Sequence, residues 1–210
     1  MTVIEIYLET ATATHDFLGH PAVAERWDAP SALARLRVGP LAAHLAGQLV
    51  QVPPVLDAPV TGERVTLAEH FARSTWTDGD LDSEVNTYIR RVSEDAAAMG
   101  HAAVTAAAGE ALERLRRRLP SEEPGRAVQL PFGPWSLTLA DYLTTRLLEL
   151  TVHGDDLAVS VDVDPPAVPA AALDSTIGVL CRLAAVRHGP TAVLRALSRA
   201  ERAPRTIAAL

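Results

Sequence analysis

Residues 139–157, LADYLTTRLLELTVHGDDL, decide how this chain is to be read. Wound as a helix at ~100° per residue, the segment lines up Leu139, Leu143, Leu150 and Leu157 as one stripe. On the same winding Arg146, Glu149, His153 and Asp156 fall within an arc of about 80°, directly beside that stripe. An ordinary amphipathic helix turns its charges away from its apolar face. Here they stand against it. If the stripe faces a core, the four ionisable groups must be paired, hydrogen-bonded or bound to a metal, because burying them bare costs several kcal/mol each. The helix starts near Thr138 or Leu139, and Gly154 suits a C-terminal cap.

Working outward, the chain supplies other helices for such a stripe to pack on. Val3 to about Gly19 reads as a first helix, closed by His20-Pro21 because the residue before a proline is pushed out of the helical region. A second begins near Val38, with Pro40 in its first turn, and runs to Pro53-Pro54. Residues 53–65 read as loop. Thr66 is an N-cap, and Glu69 completes a capping box for a short helix through Arg73. The longest signal runs from Asp82 to Leu119, where Val85, Tyr88, Ile89, Val92, Ala96, Met99 and Ala103 keep a helical phase. A straight helix of that length would reach ~55 Å, too long for a compact domain of this size, so a break is expected near Gly100 or Gly109. Residues 126–138 hold the strand material, two short runs around Phe132-Gly133-Pro134. A proline-rich connection over Val159–Pro169 leads to two last helices, Ala170–His188 and Thr191–Ser198. The pattern predicts an all-α helix bundle, with residues 1–165 as the bundle and 166–210 as a helical extension packed on the same domain.

Composition narrows the function. The chain has 210 residues, 48% of them hydrophobic, which is enough for one domain with a substantial core. All 19 basic residues are arginine, against 26 acidic ones, for a net charge of −7. That balance argues against nucleic acid, which demands a basic stripe. The cluster Arg114, Arg116, Arg117 and Arg118 sits among glutamates and reads as a solvated helix end. No run approaches the ~20 apolar residues of a membrane span. The opening MTVIEIYLETATATHDF lacks the basic and apolar regions of a signal peptide, so a cytoplasmic protein is expected. The lone Cys181, among Leu180, Leu183 and Ala184, excludes a disulfide framework and reads as a small core residue. The absence of lysine, with abundant alanine and arginine, matches a GC-rich coding genome.

Glu149 and His153 stand at i, i+4, which aims both side chains at one point. A carboxylate oxygen and an imidazole nitrogen can there share one divalent ion at ~2.0–2.2 Å. The competing reading is a core ion pair between Arg146 and Glu149 with His153 hydrogen-bonded nearby. A third ligand must come from another helix, and His44, beside Leu41 and Leu45, is the best placed. Two histidines and one glutamate leave tetrahedral zinc with an open position. Arg146 either holds Glu149 or meets an anionic substrate carboxylate. Trp135 and Tyr142 flank the start of the helix as packing groups or pocket walls. His15, His20, His70, His101 and His188 have no converging partners in the sequence.

The stretch ERWDAPSALARLRVGPLAAHLAG resembles a signature of the mycothiol-dependent maleylpyruvate isomerase-like family, an actinobacterial group within the DinB-like bundle superfamily. There a Trp, a Pro-Ser and a Val-Gly-x-Leu-x-x-His-Leu follow one another. LADYLTTRLLELTVHGDDLA resembles the second signature, Arg-x-x-Glu-x-x-x-His-x-x-Asp-Leu, and the ending HGPTAVLRALSRAERAP is similar to tails in the group. The resemblance implies a DinB-like four-helix bundle, with a short irregular or β-hairpin insert near 126–138 and extra C-terminal helices. It implies a divalent metal, usually zinc, on His44, Glu149 and His153, with Asp156 as the acidic residue behind the second histidine. It also implies a small-thiol co-substrate, mycothiol, and transfer to, or isomerisation of, a small electrophile by a monomer or homodimer. Asp156 is preferred over Asp155 because position +3 continues the helical stripe. The family's isomerase draws a basic substrate-binding residue from a separate C-terminal domain, and no arginine here matches it. The rival expectation is a metal-binding helical regulatory or binding module without turnover.

Overall fold

A computed structural model of the protein describes residues 1–74 and 82–209. Four helical columns form the bundle: α1 (Val3–Leu18), α3 (Val38–Val50), α8 (Leu139–Val161), and a broken fourth made of α6 (Glu84–Ala97) and α7 (His101–Arg118). α3 packs on α6, α7 and α8, and α1 closes the other side against α7 and α8. Tyr7, Leu41, Leu45, Leu49, Leu115, Leu143, Leu150 and Leu157 fill the space between them with essentially no exposure. The apolar stripe of α8 therefore does face the core. α9 (Ala170–His188) covers α8 from outside, and α10 (Pro190–Ser198) folds back on α9.

The break in the long helical signal falls at Gly100, whose φ of 86° suits a residue without a side chain. Gly109 breaks nothing. It lies against His15, whose Nε2 would be 2.8 Å from a Cβ at that position. Thr2 caps α1 through a capping box with Glu5, and Thr66 does the same with Glu69 for α5 (Leu67–Arg73).

Two sequence expectations are corrected, and a third, the close of α1 before His20-Pro21, holds. Residues 53–65 are not all loop: Val52–Asp57 forms a helix, α4, and Glu63–Arg64 a strand, β1. Pro53 and Pro54 stand in the first turn of α4, where a missing N–H costs nothing, so the pair that ends one helix opens the next. The His20-Pro21 break likewise starts the short α2 (Pro21–Glu25), with the His20 ring nitrogen Nδ1 accepting from the amide of Ala22. Finally, Gly154 is not a helix terminus. α8 continues two more turns to Val161 and ends at Asp162 in the left-handed region. Gly154 instead lets Pro166 pass close, since a Cβ there would lie 3.2 Å from the ring Cγ.

The strand material at 126–138 forms a hairpin of β2 (Ala127–Gln129) and β3 (Trp135–Thr138), joined by β1 into a sheet of order β1-β3-β2. β1 runs parallel to β3 and β2 antiparallel, with Val128 opposite Leu137. Gln129 secures the junction: its Oε1 accepts from the amide of Gly62 and its Nε2 donates to the carbonyls of Gly133 and Trp135. β3 feeds directly into α8, where the Thr138 hydroxyl accepts from the Asp141 amide, so the sheet fixes the start of the helix that carries the ionisable groups. Among the described residues no helix is long and apolar enough to cross a membrane.

Candidate metal centre

His44 lies in the middle of α3, half-buried between Ala43 and Leu45, and faces Glu149 on α8. What holds α3 in this register is local. Gly39, one turn before Ala43, lets the Trp27 indole lie on the helix, where a Cβ would approach its Cε2 to 2.7 Å. The buried Tyr7 hydroxyl of α1 donates to the Gln48 carbonyl at 3.0 Å. Trp27, in the turn after α2, and Tyr7 of α1 thus pin the stretch of α3 that carries His44 from its two ends.

His44 Nε2 is 3.2 Å from Glu149 Oε2, and His153 Nε2 is 3.4 Å from the same oxygen. The three donor atoms all lie within 4.8 Å of one another. Ligands at ~2.0–2.2 Å from a tetrahedral ion stand ~3.4 Å apart, so these separations suit three corners of one coordination sphere. The two imidazole rings meet edge to face with centroids 4.9 Å apart, which keeps their lone pairs convergent without stacking. Donor set and spacing both fit a divalent metal, and two imidazoles with one carboxylate are the chemistry zinc favours.

Electrostatics supports the same reading. Burial alone would raise the Glu149 pKa, but hydrogen bonds with His153 and His44 outweigh it and hold the carboxyl well below its ordinary range. Burial pushes His44 down, keeping it neutral with a lone pair to offer. His153 is buried as well, yet Asp156 and Glu149 lift it to about 9. Its Nδ1 lies 2.9 Å from Asp156 Oδ2, so Asp156 accepts a hydrogen bond from the Nδ1–H and turns Nε2 toward Glu149. At neutral pH His153 is thus an imidazolium whose Nε2 proton lies against the Glu149 carboxylate, and a divalent cation would bind there by displacing that proton.

Arg146 does not pair with Glu149, which removes the core ion-pair reading. Its guanidinium donates to Gln48 Oε1 and, through Nε, to Thr145 Oγ1 at 3.2 Å, with its Cζ 5.3 Å above the Tyr142 ring. Gln48 in turn lies 3.2 Å from His44 Nε2 and donates to the His44 carbonyl. Arg146 thus reaches the candidate ligands through an amide. Tyr142 is buried beneath it as a packing group, its hydroxyl without a hydrogen-bond partner. Trp135 has a polar role that its sequence position did not signal: its indole donates to His70 Nδ1 at 3.2 Å. Gln48 and His70 are the site neighbours that sequence reasoning passed over. For Gln48 a signal existed, since it lies one helical turn after His44. For His70 none did, because its partner is 65 positions away.

A helical bundle with a His-Glu-His cluster between α3 and α8 defines a DinB-like bundle with a candidate metal site. Residues 8–158 match the family model described as the mycothiol maleylpyruvate isomerase N-terminal domain, and the chain belongs to that family. No curated protein and no solved structure matches it.

Proposed function

We propose that this protein is a zinc-dependent enzyme that uses a small thiol, mycothiol, in S-transfer to, or isomerisation of, a small electrophile. The observation that carries this reading is the convergence of His44, Glu149 and His153 within 4.8 Å, in a chain of a mycothiol-related family. When bound there, a divalent metal supplies Lewis acidity that makes a thiol a thiolate at neutral pH. The chain's own residues do the rest. Asp156 holds the His153 tautomer and raises its basicity. Gln48 and Arg146 place donors beside His44, where they orient an incoming ligand and lend positive charge to an anion. Residues 1–165 carry the bundle and the site, and 166–210 form a helical extension that packs on α8. A cytoplasmic monomer or homodimer, acting on small molecules and not on nucleic acid or membrane, fits the acidic balance.

The test is the metal content of untagged protein purified without chelator, measured beside His44→Ala and His153→Ala. The expected result is about one zinc per chain in the parent, lost from both folded variants, followed by thiol-dependent consumption of an electrophile by the parent alone. A parent that stays metal-free after zinc is added back overturns the proposal. A parent that holds zinc but never consumes thiol leaves a metal-binding module without turnover.

A further inference from the structure

We infer that the cavity between the end of α7 and α4 is a binding site for a small phosphate-bearing molecule, held by Arg114 and Arg117. It shares no residue with the candidate metal centre, so it goes beyond the reading above and does not depend on it.

In sequence the arginines at the end of α7 read as one solvated cluster, but the structure separates them. Arg116 pairs with Glu113 and donates to Thr12 of α1 at 3.0 Å. Arg118 is tied to Asp57, Glu122 and the Leu56 carbonyl. Arg114 and Arg117 have neither a salt bridge nor a hydrogen bond among the described residues. With Arg118 they stand at i, i+3 and i+4, and so share one face of the helix.

On that face lies a cavity of about 440 Å³. Arg114, Arg117, Arg118 and Ser121 wall it, together with the buried Leu115 and Pro53, the second residue of α4. Among the described residues, three guanidinium groups line it and no carboxylate does. In a chain with 26 acidic residues against 19 basic ones, that is a separation of charge. The dipole of α7 explains why arginines stand in its last turn. It does not explain why the two without partners face one cavity, which Asp57 and Glu122, bonded to the neighbouring Arg118, do not line.

The chemistry of the walls selects the ligand. Two unspent guanidinium forks match a dianion, and their geometry matches the oxygens of a phosphate. A metal cation would find no lone pair on them. The volume falls in the range of small-molecule sites, about 300–1,000 Å³, which leaves room for more than a phosphate group. The Ser121 hydroxyl donates to the Arg118 carbonyl, so its lone pairs are left to accept from a hydroxyl on the ligand. Asp57 and Glu113, each paired with an arginine of the same cluster, put exposed carboxylates beside the cavity and repel an extended polyanion such as nucleic acid. A phosphate monoester of a small polyol fits all of these demands.

The experiment titrates glycerol 3-phosphate into the full-length protein by calorimetry at about pH 8, where a phosphate monoester is a dianion. The parent is expected to bind it, more weakly as salt rises, and to bind the hydroxyalkyl monoanion isethionate about tenfold less tightly. Arg114→Gln and Arg117→Gln should each weaken glycerol 3-phosphate by about threefold to tenfold, and together by about tenfold or more. Arg117→Lys keeps the charge without the fork and should recover part of the loss. Ser121→Glu, which sets a carboxylate in the wall, should abolish binding. All three positions are exposed, so the fold tolerates these changes. His153→Ala, which disables the candidate metal centre, should bind the probe as the parent does. A parent that does not bind, equal binding by the parent and the double variant, or isethionate bound as tightly overturns the site. Binding lost in His153→Ala puts the phosphate on the metal centre and overturns it as well. A thymidine oligonucleotide bound more tightly than glycerol 3-phosphate would replace the small-molecule site with a surface for an extended polyanion.

Discussion

Glu122 and Glu149 live in closely similar surroundings. Their side chains are 14% and 16% exposed, each is bracketed by two nitrogen-bearing side chains, and each has its pKa lowered by them although burial pushes it up. Glu122 is gripped by Arg118, at 2.8 Å, and by Arg126, and both arginines also donate to the Leu56 carbonyl at 3.0 Å. Glu149 is gripped by His44 and His153. The partners make the difference. A guanidinium is always charged and only donates, so it offers no lone pair to a metal ion and can only hold the acceptor Glu122. An imidazole trades its proton for a lone pair within the range of ordinary pH. One cluster is thus a strap tying the end of α4 to the end of α7 and the start of β2. The other can exchange a proton for a metal ion.

The sharpest way to break this comparison is to neutralise each glutamate in turn. Glu149→Gln removes the anionic ligand, and we expect bound zinc to fall to roughly a tenth of the parent or less at equal supply. Glu122→Gln should keep its zinc and lose ~1–2 kcal/mol of stability, because Arg118 and Arg126 are each about a third exposed and water takes up part of the lost pairing. Elemental analysis reads the first effect and thermal unfolding in chelator the second. Zinc lost from Glu122→Gln, or kept by Glu149→Gln, would show that the two clusters do not differ as described.

A smaller effect separates the residues behind the glutamates. Asp156 reaches the site only through His153 Nδ1, and such partners typically tune metal affinity ~10–100-fold. Asp156→Asn should weaken zinc by that order in a chelator competition, with the fold intact. Arg126→Gln, the corresponding change at the strap, should leave zinc affinity unchanged and cost about 1 kcal/mol of stability.

How far these clusters can be read from sequence depends on the range of their contacts. Glu149 and His153 are one helical turn apart, so their convergence is local and legible, and Asp156 continues the same face. His44 comes from another helix. Its place rests on the packing of α3 against α8, which the apolar stripes foretell, and on the register set by Trp27 on Gly39 and Tyr7 on Gln48, which they do not. The Arg146–Gln48 contact and the Trp135–His70 bond are decided wholly by tertiary packing and leave no periodic trace. Gly154 and Pro53-Pro54 failed for another reason: each residue type serves two opposite ends. A glycine ends a helix or admits a close neighbour, and a proline stops one helix or starts the next. Local sequence does not say which.

The finest test of the comparison is acid. Glu122 in the folded chain keeps its charge to a lower pH than its ordinary value of 4.5. Between those two values the unfolded chain binds more protons than the folded one, so stability falls as the pH falls. Above about 4.5 the contribution is fully present and flat, because the carboxyl is ionised in both states and the arginines do not titrate. Glu122→Gln has no such step. The stability difference between parent and this variant, measured by denaturant titration in chelator, should therefore hold constant from pH 8 to about pH 5 and shrink below it, by a total of under ~1 kcal/mol. Working in chelator keeps acid release of zinc out of both curves. A difference that stays constant through the acid range would mean that Arg118 and Arg126 hold Glu122 by shape and hydrogen bonding, with its charge adding nothing. In that case the contrast with Glu149 would lie in lone-pair chemistry alone.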